Sequence, residues 1–173
     1  MAEGSNARRL FFQASVVVAL AGVSGCGTSE PPQPQPAFYA DLARPGAVLD
    51  PVTATDIINA YRAREGLRPL VWDAGLARIA AEAASTLADR GDLSDGGGEG
   101  LLRALAMGGY SGRLVRRSVS GGYHSFADAF SGWRGAPAHD GVLRAKDGQK
   151  YAIAALARPG SRHRVYWVLL VSP

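Results

Sequence analysis

The sequence predicts an α+β chain: a three-layer α-β-α sandwich around a small antiparallel sheet. Three observations carry that prediction. Two helix-period segments with capping residues come first, at Thr53 to Arg64 and Asp73 to about Ala88. Two apolar runs come last, Lys150 to Ala157 and Val165 to Val171, joined by the turn residues Arg158-Pro159-Gly160-Ser161. Those runs are nearly continuous in hydrophobicity, so both faces of the sheet need covering layers.

The chain of 173 residues suits one domain plus accessory segments. Asn6-Ala7-Arg8-Arg9 is a positive start, and Leu10 to Gly22 is an apolar run too short to span a bilayer. It ends in Val23-Ser24-Gly25-Cys26, which resembles the bacterial lipobox, so residues 1–25 read as a lipoprotein signal peptide and Cys26 as the lipidation site. Cys26 is the single cysteine and can form no intrachain disulfide. Arg8-Arg9-Leu10-Phe11-Phe12-Gln13 also resembles a twin-arginine export motif, leaving the export route open. Gly27 in place of Asp after the cysteine points, by resemblance to lipoprotein sorting, to the outer membrane. Residues 26–49 are then anchor and tether. Thr28 to Pro36 carries four prolines and favours extended polyproline conformations. Phe38 to Val48 reads either as more tether or as an arm packing through Phe38, Tyr39 and Leu42.

The folded domain is expected over residues 50–173. Thr53 and Asp56 can cap the first helix, Ile57, Ile58 and Tyr61 give its apolar face, and Gly66 closes it. Leu67 to Trp72 is a short extended linker, because Pro69 forbids helix there. Asp73 caps the second helix, whose stripe is Leu76, Ile79, Ala80, Ala83 and Leu87, and Gly91 ends it. Asp92 to Gly100 is a glycine-rich loop without the Lys-Ser/Thr of a phosphate-binding loop. A third helix is expected over Leu101 to Met107, then a strand over Leu114 to Ser120 with Arg116 and Ser118 facing out. Phe126, Phe130 and Trp133 recur at helical spacing behind Ser125, with Asp128 completing a capping pair. His139 follows just past that helix, at the rim of a cleft.

The net charge of +4 is spread over 17 arginines and two lysines, with only Arg113, Arg116 and Arg117 clustered. No aromatic residues interleave with them, which argues against nucleic acid as a partner. No nucleophile elbow accompanies Ser94, Ser118 or Ser125, any of which could approach His139, so no catalytic residue is assigned. His124 and His163 read as solvated residues in loop or strand-end positions.

Three stretches resemble the CAP superfamily, or SCP domain, of cysteine-rich secretory and pathogenesis-related proteins. Ile58-Asn59-Ala60-Tyr61-Arg62-Ala63-Arg64-Glu65-Gly66-Leu67, with Pro69-Leu70 and Trp72-Asp73, is similar to the family opening LNxxRxxxGLxPLxWD. Gly132-Trp133 with Pro137-Ala138-His139 resembles WxxSPGH, and Tyr151 to Ala157 with Tyr166-Trp167-Val168 resembles the closing strands. The resemblance implies an α-β-α sandwich with a cleft that usually holds two histidines and one or two acids, in some members around a divalent cation. Here His139 matches the second histidine, Asp95 stands near the first, Arg117 replaces the usual glutamate, and Ala136 stands where eukaryotic members carry another. His139, Asp95 and Arg117 are therefore the cleft candidates, with an Asp95–Arg117 ion pair filling the old site. Neither a metal nor another cofactor is expected. The implied function is a non-enzymatic binding module in the bacterial envelope, held to the membrane through Cys26, for a lipid, an envelope glycan or a protein. A metal-dependent or hydrolytic enzyme using a cleft around His139 is the alternative.

Overall fold

The computed structural model describes residues 35–94, 98–111 and 115–173. The signal peptide, Cys26, most of the proline-rich tether, Asp95 and Leu114 lie outside the described residues.

A four-stranded sheet in the order β1-β3-β4-β2 forms the middle layer. Its strands are β1 (Val71–Trp72), β2 (Arg116–Gly121), β3 (Lys150–Ala157) and β4 (Val165–Ser172). β4 runs antiparallel to β3 and to β2, with Ile153 opposite Leu169 and Ser118 opposite Leu169 on the other side. The sheet is mixed rather than purely antiparallel, because β1 pairs parallel with β3 through Val71–Lys150 and Trp72–Tyr151. The stretch expected as an extended linker is thus a two-residue edge strand. Pro69 excluded helix there, and the neighbour β3 supplied the ladder.

Alternation along β3 and β4 feeds two separate cores. Tyr151, Ile153, Val165, Trp167, Leu169 and Val171 face one layer, while Ala152, Tyr166, Val168 and Leu170 face the other. The first layer contains α1 (Pro51–Arg64), α4 (Phe126–Gly135) and α5 (Pro137–Leu143). The second contains α2 (Ala74–Arg90) and α3 (Gly98–Met107). Three layers result, as the apolar runs require.

The caps explain the helix limits. Asp50, rather than Thr53 or Asp56, caps α1, accepting from the amides of Val52 and Thr53, and Pro51 occupies the first helical position. Asp73 caps α2 through the Leu76 amide at 2.9 Å, and Gly91 ends that helix at φ 65°. Ser125 caps α4 through the Asp128 amide at 3.1 Å. The arm before α1 packs on the first layer rather than hanging as tether. Leu42 is buried in the core and Phe38 sets its ring edge-on to Phe126 at 5.6 Å, whereas Tyr39 stays exposed.

Arg62 is the least expected core residue. It is fully buried on α1, and its guanidinium donates to three backbone carbonyls: Arg68 at 2.9 Å, Leu143 at 2.7 Å and Ala145 at 3.1 Å. Burial lowers its pKa from the ordinary arginine value. Arg62→Ala should cost about 3–5 kcal/mol, since charge-assisted bonds are lost and carbonyls are left buried without donors. Urea unfolding followed by tryptophan fluorescence measures this as a lower midpoint at unchanged slope.

Asp73 links the second layer to the sheet. It accepts from the Tyr110 hydroxyl and lies 3.3 Å from Lys150 Nζ, with its side chain 16% exposed. The Tyr110 hydroxyl, then the Leu76 amide and Lys150, lower its pKa to about 2. A carboxylate whose folded pKa is depressed stabilises the protein above its unfolded pKa near ~4, and that stabilisation fades as the pH falls toward 2. Asp73→Asn should cost about 2 kcal/mol at neutral pH and flatten the acid limb of the stability curve, as denaturant melts across that range will report.

Candidate functional site

The site forms where the edge strand β2 meets α4 and α5. The pleat of β2 turns Ser118 and Ser120 toward the first layer, opposite Leu169 and Trp167 of β4. Ser120 Oγ accepts from Trp133 Nε1 at 2.9 Å, which fixes α4 against the strand. Phe126, Trp133 and Trp167 stack around that bond, with Trp133 and Trp167 edge-on at 5.8 Å. Their burial is the structural meaning of the aromatic spacing in Ser125 to Trp133.

His139 does not sit in a turn beyond α4. It occupies the first turn of α5, a seven-residue helix that Pro137 opens immediately after the junction residue Ala136. The chain turns sharply at Ala136, and α5 carries His139 back over β2. There its Nδ1 lies 2.6 Å from Ser118 Oγ. Ser118, expected to face out, is 2% exposed and faces the histidine. The ring is half-buried, and Nε2 has no hydrogen bond among the described residues and is not sealed from solvent.

The structure does not bring Arg117 to this histidine. Arg117 neighbours Ser118 on an extended strand, so the pleat directs it to the opposite layer, the side on which Val119 packs. Arg117 makes no hydrogen bond or ion pair among the described residues. The expected partner Asp95 lies outside the described residues. Of the three candidates, His139 alone has an observed side-chain partner, and that partner is Ser118.

The other serines are accounted for locally. Ser94 bonds Asp92, and Ser125 caps α4 and bonds Asp128 at 2.7 Å. His163, expected to be solvated, is half-buried and sets its ring edge-on to Tyr166 at 5.5 Å. Among the described residues, no group of three or more His, Cys, Asp or Glu side chains is placed to hold a metal ion.

A second polar cluster borders the site through α5. Tyr61 on α1 donates to Asp140 Oδ1 at 2.6 Å, and burial together with that carboxylate raises its pKa to about 12. Arg144 pairs with Glu65 at 2.9 Å and reaches Asp140 at 3.5 Å. Sequence reasoning missed Asp140 because α5 itself was not foreseen. The one available signal was Pro137 three residues before Asp140, a pattern that can open a helix.

The chemistry available is limited and specific. A buried serine hydroxyl orients one imidazole nitrogen and leaves the other without a hydrogen bond among the described residues. Ser118 Oγ is itself too enclosed to meet a substrate, so it positions the ring rather than attacking anything.

A family model described as the cysteine-rich secretory protein family, CAP, matches residues 55–165. The chain belongs to this family. The match spans α1 through the start of β4, and thus both covering layers and His139. Among solved structures, an outer surface protein of Borrelia burgdorferi superposes with a TM-score of 0.58 at 19% identity, covering 70% of this chain and 90% of that one. An extracellular SCP-domain protein of Bacillus anthracis gives 0.57 at 18% identity, and a cysteine-rich secretory protein of Staphylococcus aureus gives 0.51 at 19%. This chain covers 70% of its own length in both, but only 40% and 37% of those longer proteins. At such identities the neighbours establish the CAP fold and nothing about the cleft. No curated protein sequence matches the chain.

Proposed function

We propose that this CAP protein is a non-enzymatic binding or interaction module, exported and anchored by a lipid on Cys26 in the bacterial envelope, at the outer membrane. The observation that carries the binding reading is the Ser118–His139 pair. A nucleophilic serine needs an accessible Oγ, and Ser118 is 2% exposed. A zinc ion takes about four ligands, and His139 offers it a single free ring nitrogen. Both points support reading the Ser118-held ring as a contact offered to a ligand. The location is supported by the lipobox-like Val23 to Cys26, and by the Borrelia neighbour being an outer surface protein and the Bacillus neighbour extracellular. Among the described residues, no helix is long and apolar enough to cross a membrane. The ligand classes that suit such a module are a lipid, an envelope glycan or a protein.

One observation favours a second reading. An imidazole held at Nδ1 with Nε2 open is also how a general base is positioned, so a hydrolytic or metal-dependent enzyme around His139 is the alternative. Calorimetric titration of the purified protein with zinc separates the two. The expected result is no sub-micromolar site. Sub-micromolar binding that His139→Ala abolishes would overturn the binding-module reading. For the anchor, Cys26→Ser should move the protein from the membrane fraction to the soluble fraction with an unchanged unfolding midpoint. A variant that still sediments with membranes is held by something else.

A further inference from the structure

The buried Arg62 clamp has an outer side. By joining the Arg68 carbonyl to those of Leu143 and Ala145, it draws the end of α1 and the loop after it against the end of α5. Exposed cations sit on both segments: Arg64 and Arg68 on one, Arg144 and Lys146 on the other. α4 adds Arg134, also exposed, whose guanidinium stands over the rings of Tyr61 and Phe130 at 5.6 and 5.5 Å. Two shallow depressions, about 470 and 430 Å³, meet at Arg134 and Gly135. Arg64 lines the first, and Arg144 and Lys146 line the second.

The acids in this region are already engaged. Asp140 accepts from Tyr61 and faces Arg144, Glu65 pairs with Arg144, and Asp147 is held by Arg116. Arg64, Arg68, Arg134 and Lys146 form no ion pair with a described residue. A trough with spare guanidinium forks and matched acids is complementary to a chain of oxyanions.

We propose that this trough binds an acidic polysaccharide strand, with its carboxylates seated in the depressions on either side of Arg134. The proposal narrows the ligand of the binding-module reading above, and rests on that reading for its envelope setting only. Three features select a polysaccharide among polyanions. The surface is concave, and the large exposed apolar residues Tyr39, Val48, Val52, Val71 and Met107 all lie outside the lining of the two depressions, so nothing in the trough would insert into a bilayer. Phe130 is buried and Arg134 already occupies a face of Tyr61, which disfavours stacking of nucleobases there. A stacked, pre-ordered arginine between two open depressions suits an extended strand crossing it.

The test uses the full chain in a neutral detergent, with polygalacturonate as the probe and neutral dextran as its uncharged counterpart. Polygalacturonate should bind in a salt-sensitive manner and dextran should not. Arg134→Gln combined with Lys146→Gln should weaken binding about tenfold while lowering the unfolding midpoint only slightly, since both side chains are exposed and only the ring contacts of Arg134 are lost. Arg162→Gln removes the same kind of charge at the far end of the β3–β4 hairpin, and should change affinity by no more than about twofold. Equal binding of dextran, or an equal loss in Arg162→Gln, would overturn the proposal. So would tighter binding to phosphatidylglycerol in mixed detergent micelles, or to single-stranded DNA, with the same sensitivity to the double variant. The zinc titration and the membrane fractionation read none of these charges, so their outcomes stand apart from this one.

Discussion

The guanidinium of Arg62 is buried among backbone carbonyls, with no carboxylate of the described residues bonded to it. Moving such a cation out of water costs several kcal/mol, and three charge-assisted bonds, each about 1.5–3 kcal/mol, offset that cost. Arginine suits the position because its donors diverge in a plane and can serve carbonyls from different segments at once. The bond to Arg68 turns the chain back after α1, toward β1. The bonds to Leu143 and Ala145 hold the end of α5, and hence the helix that carries His139 over β2. The placement of that histidine thus depends on a charge nearly as deep in the first layer as the tryptophans.

The rest of that layer is made to tolerate the clamp. Ile58 and Ala54 pack one side of α1 into the aromatic cluster, while Asn59 bonds Leu70 in both directions, at 2.9 and 2.8 Å. Polar side chains here serve backbone groups that loops would otherwise leave unpaired. The sheet supplies the rigid reference. β4 is buried along its whole length and contacts both layers, so Trp167 beneath α4 and Tyr166 beneath α2 are fixed by the same strand.

Elements whose cause is local were legible in the sequence. The Asp73 and Ser125 caps, the Gly91 stop and the stripe of α2 all lie within a few residues of the structure they determine. The β3–β4 hairpin was legible for the same reason. What was not legible has distant causes. β1 is two residues long and exists only because β3 runs beside it. α5 has seven residues, too few for a period to declare itself, and Gly141 lowers its propensity further. Arg62 reads as a surface residue until the carbonyls of residues 143 and 145 are brought to it. At the site, motif matching located His139 and brought Ser118 into consideration, but motif order carries no information about pleat parity. Arg117 and Ser118 are neighbours in the chain and belong to opposite layers.

β4 is the last strand of the domain to be synthesised, yet it lies between β2 and β3 and pairs with both. Until residues 165–172 have left the ribosome, β2 has no partner and β3 has only the two residues of β1. Neither core can then close, because Val165, Trp167, Leu169 and Val171 of one and Tyr166, Val168 and Leu170 of the other come from that strand. Folding is consequently withheld until synthesis has passed the final strand, since long-range pairing cannot begin before its partner exists. The two covering layers therefore close together on that strand, rather than one after the other.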